Sequence, residues 1–335
     1  MTPSSEPLAE RNGTVIRTHE LTKKFGDSVA VDKVTMTIPR GSIFGFIGPS
    51  GCGKTTTMRL LLGIYEATGG VVEVLGRAPD HFTTADRQRI GYMPQLFVMY
   101  PDLTIWENLN FAASLYGMPL RRHNRLHDLL DLVELTGHEG KLARNISGGM
   151  RQRLSLAAAL VHDPELIFLD EPTAGIDPVL RNKFWDHFEH LKAEGHTLFV
   201  TTQYVGEAAY CDYVGVMSNG RLLMVETPDE LRRRALGGDV INVKTDQRLN
   251  YQLFNELRDQ PFVRNRSVRR HAEDDLALQV VVEDTGTALP AIFTWLGERG
   301  FEVESAGEFN PPFDDVFVML LEKEAAAAGS KIANE

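Results

Sequence analysis

Residues Gly48-Pro49-Ser50-Gly51-Cys52-Gly53-Lys54-Thr55 satisfy G-x-x-x-x-G-K-[ST], a pattern suited to holding a polyphosphate. Glycines let the main chain wrap closely enough for its N–H groups to face phosphate oxygens. A helix beginning at Thr56 would turn its positive pole towards the same anion. Lys54 can then reach the β- and γ-phosphates, and the Thr55 hydroxyl can ligate Mg²⁺. Cys52 lies inside the loop, where nothing in the sequence lowers its pKa, so it reads as a small side chain rather than a reactive thiolate. Downstream, Leu166-Ile167-Phe168-Leu169 ends in Asp170-Glu171. Asp170 suits Mg²⁺ held through water, and Glu171 suits orienting and polarising an attacking water. An apolar strand ending in two carboxylates is ordinarily just a strand meeting solvent, so the weight of this pair comes from its neighbours.

Just upstream of that strand stands Ile146-Ser147-Gly148-Gly149-Met150-Arg151-Gln152-Arg153. It resembles the signature motif of ABC ATPases, and two glycines opening a helix again expose N–H groups to an anion. The resemblance implies that the motif works in trans. Ser147, Gly148 and Gly149 of one copy close on the γ-phosphate held by the Lys54 loop of another, so catalysis needs a head-to-tail homodimer enclosing two ATP molecules. Other family landmarks follow in order over about residues 13 to 230. Phe25, in Leu21-Thr22-Lys23-Lys24-Phe25-Gly26, matches the aromatic that stacks on adenine, with a core phenylalanine as the equal alternative. Gln95, in Gly91-Tyr92-Met93-Pro94-Gln95, matches the glutamine that touches Mg²⁺ and senses a membrane subunit. Ala174-Gly175-Ile176-Asp177 matches the loop linking the two ATP sites, which adds Asp177 to the set acting in trans.

One position departs from the family. Gln203 stands where a histidine normally contacts the γ-phosphate. A glutamine still donates a hydrogen bond but carries no charge. It is expected to keep a positioning role beside Glu171 with less electrostatic help, or else to have drifted out of function.

Three features resemble ATPase subunits of daunorubicin-type multidrug exporters: the methionine after Ser147-Gly148-Gly149, the segment Glu207-Ala208-Ala209-Tyr210-Cys211-Asp212, and the ending Pro312-Phe313-Asp314-Asp315-Val316-Phe317. The resemblance implies an ATPase homodimer on the cytoplasmic face of the cell membrane, beneath separate transmembrane permease subunits that dock near Phe97–Tyr116. Phe97, Tyr100 and Trp106 are exposed aromatic candidates for that contact, although core packing explains Trp106 and Phe111 equally well. An importer ATPase with a regulatory C-terminal domain is an alternative. So is a soluble ABC ATPase acting on nucleic acid or the ribosome. The chain has one phosphate loop and one signature, no sustained heptads between them and no zinc-type cysteines, all of which disfavour that second alternative.

The elements that must position these residues form an α/β P-loop NTPase (ABC ATPase) domain over residues 13–236, with a helical subdomain at about 96–160. Short apolar runs at Ser42–Ile47, Leu166–Leu169 and Thr197–Thr201 read as buried parallel strands. Composition changes at Gly237-Gly238. Residues 239–323 then suggest a βαββαβ-like, ferredoxin-like α+β domain, with dimerisation as its first-choice role. The runs Arg232–Arg234 and Arg264–Asp275 read as solvated helix faces. Residues 1–12 and 324–335 read as disordered. Lys and Arg total 35 against 46 Asp and Glu, a net charge of −11, so no nucleic acid is expected as partner. Two cysteines form no disulfide framework and fit a reducing compartment, and no apolar run is long enough to cross a bilayer.

Overall fold

The computed structural model describes residues 13–270 and 274–332, so the expected disorder of residues 1–12 lies outside it. The chain divides into two compact units between Glu226 and Thr227. In the first, β1 (Thr14–Phe25) and β2 (Ser28–Pro39) form a hairpin, followed by β3 (Ile43–Ile47), α1 (Lys54–Leu61), β4 (Gly69–Val74), α2 (Thr84–Arg87) and β5 (Ile90–Met93). Helices α3 (Ile105–Leu115), α4 (His123–Leu132) and α5 (Gly148–Leu160) form the expected helical segment. Then come β6 (Leu166–Asp170), α6 (Pro178–Ala193), β7 (Thr197–Thr202), β8 (Tyr213–Ser218) and β9 (Arg221–Glu226).

The strands make two sheets. One is antiparallel, in the order β2-β1-β4; the other has the order β5-β6-β7-β3-β8-β9, parallel except for its last pair. Every residue of β3, β6 and β7 is buried. Continuous burial is what a parallel strand covered on both faces requires. Phe44, Phe46, Phe168 and Phe199 meet between these strands, with ring centroids 5.4–6.3 Å apart. Such packing makes β6, β7 and β3 a rigid base whose carboxyl ends lie side by side.

Local sequence explains the helix starts. Thr104 and Glu107 form a capping box at α3, and Ser147 caps α5 by accepting from Met150 N at 3.3 Å; caps of this kind contribute about 1 kcal/mol each. In α4, Leu126, Leu129 and Leu130 form the buried stripe that their spacing predicts.

The second unit begins earlier than the composition change suggests. Helix α7 (Pro228–Leu236) clusters with it, because α7 packs on the last helix of the chain. Strand β10 (Asp239–Thr245), α8 (Tyr251–Arg258), β11 (Val263–Arg270), β12 (Ala277–Val282), α9 (Thr285–Gly297) and β13 (Val303–Glu308) follow, then α10 (Phe313–Ile332). This is the βαββαβ order, with an antiparallel sheet β11-β12-β10-β13 of ferredoxin type.

Three expectations are corrected here. Arg264–Arg270 is not a helix face but most of β11. An edge strand tolerates this density of arginines, because charge there discourages pairing with other chains. The arginines of α7 are not simply solvated. Arg232 stacks 4.0 Å over Phe313, and Arg233 grips Asp239 through two hydrogen bonds of 2.6 and 3.1 Å. Residues 324–332 are helical rather than disordered, since α10 continues to Ile332 through a run of alanines, the strongest helix formers, while residues 333–335 lie outside the described residues.

At the amino ends of β5 and β6, Glu165 accepts from Arg89 at 2.6 and 3.0 Å and from Arg40 at 2.9 Å. The Arg89 hydrogen bonds, with those of Arg40, hold its carboxyl at about 2 against an ordinary 4.5. A carboxylate depressed in the fold stabilises above its unfolded value and loses that contribution as pH falls towards the folded one. Glu165→Gln should therefore lower the thermal midpoint at pH 7 by roughly 2–4 °C, a small effect because the cluster is partly exposed and screened. Melts across pH 7 to 3 check this, and the gap from the parent should narrow below pH about 4.5.

Candidate nucleotide site

Strand order brings the site together. Asp170 pairs with Thr201 across β6 and β7, and Ile47 pairs with Thr202 across β3 and β7. The segments after these three strands thus leave the sheet within roughly 10 Å of one another, at the carboxyl edge where open α/β sheets hold ligands.

The loop after β3 has a shape that side chains would obstruct. A Cβ on Gly48 would fall 2.3 Å from Met217 O, and Gly53, at φ +108°, would put one 2.5 Å from Ala30 O. Gly51 also has positive φ, and Pro49 and Ser50 are exposed at the tip. Lys54 opens α1 with its side chain folded back over the loop and only 4 % exposed. Its Nζ donates to Gly48 O at 2.7 Å and Pro49 O at 3.1 Å, and stands 3.8 Å from Glu171 Oε1. Cys52 is buried, and burial pushes its thiol up despite the opposing charge of Lys54, which makes it a packing residue. Thr56 is half-buried in α1.

Thr55 Oγ1 donates to Asp170 Oδ1 at 3.0 Å, and Thr201 Oγ1 donates to the same oxygen at 2.6 Å. Asp170 Oδ2 is buried without a hydrogen-bond partner among the described residues. A buried carboxylate oxygen is costly to leave unmatched, and beside a hydroxyl it fits a hard cation such as Mg²⁺ and its water. Glu171 has φ +49°, a strained value for a residue with a side chain. Its N–H is held by the carbonyl and hydroxyl of Thr201, both at 3.1 Å. Its carboxylate accepts from Gln95 Nε2 at 3.0 Å and faces Lys54. Gln203 is exposed after β7, and its Oε1 accepts from Ser50 Oγ at 2.9 Å.

A cation, a strained carboxylate, an unmatched acidic oxygen and two amides therefore meet over a glycine loop at a helix N-terminus. A sequence model described as "ABC transporter" matches residues 31–174. The chain is 40% identical over 226 residues to the probable multidrug ABC transporter ATP-binding protein YbhF of Escherichia coli, covering 66% of this chain and 39% of that protein. It is 35% identical over 309 residues to the daunorubicin resistance ATP-binding protein DrrA3 of Streptomyces coeruleorubidus, covering 92% of this chain and 96% of that one. The chain belongs to the ABC transporter family. A dimeric ATP-binding cassette solved in a post-hydrolysis state with ADP and Pi has TM-score 0.59 and 25% identity, covering 63% of this chain and 98% of that one.

Other residues singled out for this family fall elsewhere in the first unit. Phe25 is 47% exposed at the end of β1, edge-on to Tyr65 at 5.4 Å and under Lys23 at 5.1 Å, which removes the core alternative. Ser147 and Gly148 are exposed at the start of α5; Gly149 is half-buried, where a Cβ would meet Leu180 at 2.8 Å. The Asp177 carboxylate caps α6, accepting from Val179 N and Leu180 N at 3.0 Å. Around the expected docking stretch, Tyr100 is exposed but Phe97 is half-buried near Arg151, and Trp106 packs against His123 and His127. The large exposed apolar side chains are instead Leu96, Val98, Tyr100, Phe111 and Leu115. Aromatic type alone misled here, since rings large enough to anchor a partner also fill gaps between helices.

Thr201 is a residue that sequence reasoning missed. A hydroxyl directly after the buried run Leu198-Phe199-Val200 needs a partner, and that requirement was its signal. Gly53→Ala should reduce ATP affinity at least about tenfold, because the loop must distort to relieve both φ and contact. Titration with a fluorescent ATP analogue checks this; affinity within twofold of the parent would mean the loop accommodates a side chain.

Proposed function

We propose that the chain is the ATP-hydrolysing subunit of an ABC exporter, working as a homodimer beneath separate membrane-spanning permease subunits. The observation that carries this reading is Glu171 held in strained geometry between Lys54 and Gln95, beside an Asp170 oxygen with no hydrogen-bond partner among the described residues. Phe25 stacks on adenine, and residues 48–56 wrap the phosphates. Thr55, Asp170 and Gln95 would hold Mg²⁺, which would supply charge neutralisation for the transferred phosphoryl group. Lys54 exchanges its carbonyl partners for phosphate oxygens. Glu171 accepts a proton from the attacking water as its oxygen bonds to the γ-phosphorus, and the ADP oxygen leaves in line.

A second copy supplies Ser147, Gly148 and Gly149 to the far side of the γ-phosphate, with Asp177 in the loop between the two sites. The related dimeric cassette supports that arrangement. The names of the multidrug and daunorubicin-resistance relatives support export of drug-like compounds. No helix among the described residues is long and apolar enough to span a membrane, and this reading assigns translocation to the permease subunits. The exposed Leu96, Val98, Tyr100 and Leu115 suit the permease contact. The exposed Tyr251 and Phe293 of the second unit suit a contact between copies.

Glu171→Gln should lower kcat by about 10²–10⁴-fold while ATP binding persists, trapping a nucleotide-loaded dimer visible by size-exclusion chromatography. Normal hydrolysis by that variant would remove Glu171 as the base. Mixed dimers with Lys54→Ala on one copy and Ser147→Arg on the other retain one intact composite site, and should recover activity that neither homodimer shows. For Gln203, alanine should cost about tenfold in kcat and histidine should not; a Gln203→Ala enzyme at parental rate would mean the side chain is idle.

A further inference from the structure

Behind Gln203 lies a second set of polar groups, deeper than the nucleotide site. Glu207, in the turn Val205–Tyr210, is 2 % exposed, and Thr173 is fully buried. Thr173 Oγ1 donates to Glu207 Oε1 at 2.6 Å. Arg181, on α6, brings Nε to 3.6 Å from the same oxygen, and its guanidinium lies over the Tyr204 ring at 4.2 Å from the centroid. Among the described residues, neither Arg181 Nε nor Glu207 Oε2 has a hydrogen-bond partner. The pair joins a buried Glu207 to an Arg181 side chain that is 26% exposed; such a pair, left under-satisfied, is a poor stabiliser, since burying the carboxylate costs more than a partly screened partner returns. Its value is therefore geometric.

Three segments converge on it. Thr173 follows two residues after Glu171, whose carbonyl accepts from Ala174 N at 3.1 Å. Tyr204 adjoins Gln203, and its N–H is tied to Thr202 Oγ1 at 3.0 Å. Arg181 N donates to Asp177 O at 2.9 Å, so the arginine rides on the first turn of the helix that Asp177 caps. A second clamp fixes the same turn to α6, with Tyr210 stacked on Trp185 at 5.1 Å.

We propose that Arg181 and Glu207 are positioning residues that hold Gln203 and Glu171 in register with the loop Ala174–Asp177. Arrival of a second copy at that loop is thereby passed to both side chains that face the attacking water. The inference rests on the roles given above to Glu171 and Gln203. Arg181 and Glu207 act through Tyr204 and Thr173.

The test uses the full-length chain. Glu207→Gln keeps size and an oxygen for Thr173 while removing charge. Arg181→Met keeps the stem, and Arg181→Lys keeps the charge but loses the planar face over Tyr204. The first two should lower kcat about 10- to 100-fold, as small misplacements of catalytic groups do, with KM for ATP within about twofold. Arg181→Lys should fall between these and the parent. The Glu207→Gln/Arg181→Met double variant should be less impaired than the product of the singles. In a Gln203→Ala background, Glu207→Gln should cost no more than about a further threefold, because its effect travels partly through Gln203. Parental kcat in folded variants, a raised KM with kcat intact, or full multiplication with Gln203→Ala would each overturn the proposal. Should Glu207→Gln fail to fold, the two Arg181 variants carry the same cycle. Parental turnover by Glu171→Gln would instead defeat the site reading, whereas an inactive Glu171→Gln beside fully active Arg181→Met and Glu207→Gln defeats only the positioning role.

Discussion

A lysine ammonium buried at the mouth of a phosphate loop must be compensated, and the way Lys54 is compensated organises the whole site. Its donors go to the carbonyls of Gly48 and Pro49, and its remaining field falls on Glu171 3.8 Å away. Both partners are exchangeable. Carbonyl oxygens release a cation to a phosphate readily, because the phosphate carries full charge and the charge-assisted hydrogen bond is stronger. In the proposed function Lys54 thus already stands at the γ-phosphate position, and little would have to be reorganised when the anion arrives.

That arrangement survives only because the sheet beneath it is stiff. Three consecutive strands with every residue buried, packed through four phenylalanines, leave no slack for the segments after Ile47, Asp170 and Thr202 to drift. Thr201 converts that stiffness into chemistry. A single hydroxyl on β7 donates to Asp170 and accepts from Glu171 N, so the carboxylate proposed for the metal and the one proposed as base are set by the same atom. It also holds Glu171 in a left-handed backbone conformation that costs of order 1–3 kcal/mol unless its surroundings enforce it. The strain points the carboxylate back towards Lys54 and Gln95 rather than along the strand axis.

What the sequence disclosed depended on whether a residue's role is carried by local pattern. The glycine loop, the Asp170-Glu171 strand end and the Ser147-Gly148-Gly149 turn each announce themselves through spacing, and the structure builds them on the expected elements. Strand β11 did not, because the seven positions from Arg264 to Arg270, four of them arginines, carry no apolar alternation, and only its place at a sheet edge makes it a strand. Helix α7 has a Thr227 cap and a Gly237 end that mark its limits well. Which unit it packs with depends on Phe313, some eighty residues later, and no local pattern reports that. Thr201 and Glu207 are similar cases: each is an ordinary polar residue in sequence and becomes informative only once burial demands a partner for it.

The replacement of a histidine by Gln203 can be understood in the same terms. An amide has a donor end and an acceptor end, and here Oε1 takes the hydroxyl proton of Ser50. The Nε2 end is thereby left as the donor, so the orientation in which Gln203 could serve a phosphate oxygen is the one its neighbour selects. An imidazolium would add charge, but in the proposed site Lys54 and Mg²⁺ would already supply cationic field on this side of the γ-phosphate. In the same proposal the signature turn of a second copy would supply backbone dipole on the other. In such a site a further positive charge gains less than it would alone, whereas a donor fixed in direction keeps its value, since catalysis by hydrogen bonds depends on their being aimed before the reaction begins. The serine at the loop tip and the glutamine after β7 are therefore best regarded as one unit, a hydroxyl that aims an amide. In this chain that unit occupies the place the family usually gives to a titratable ring.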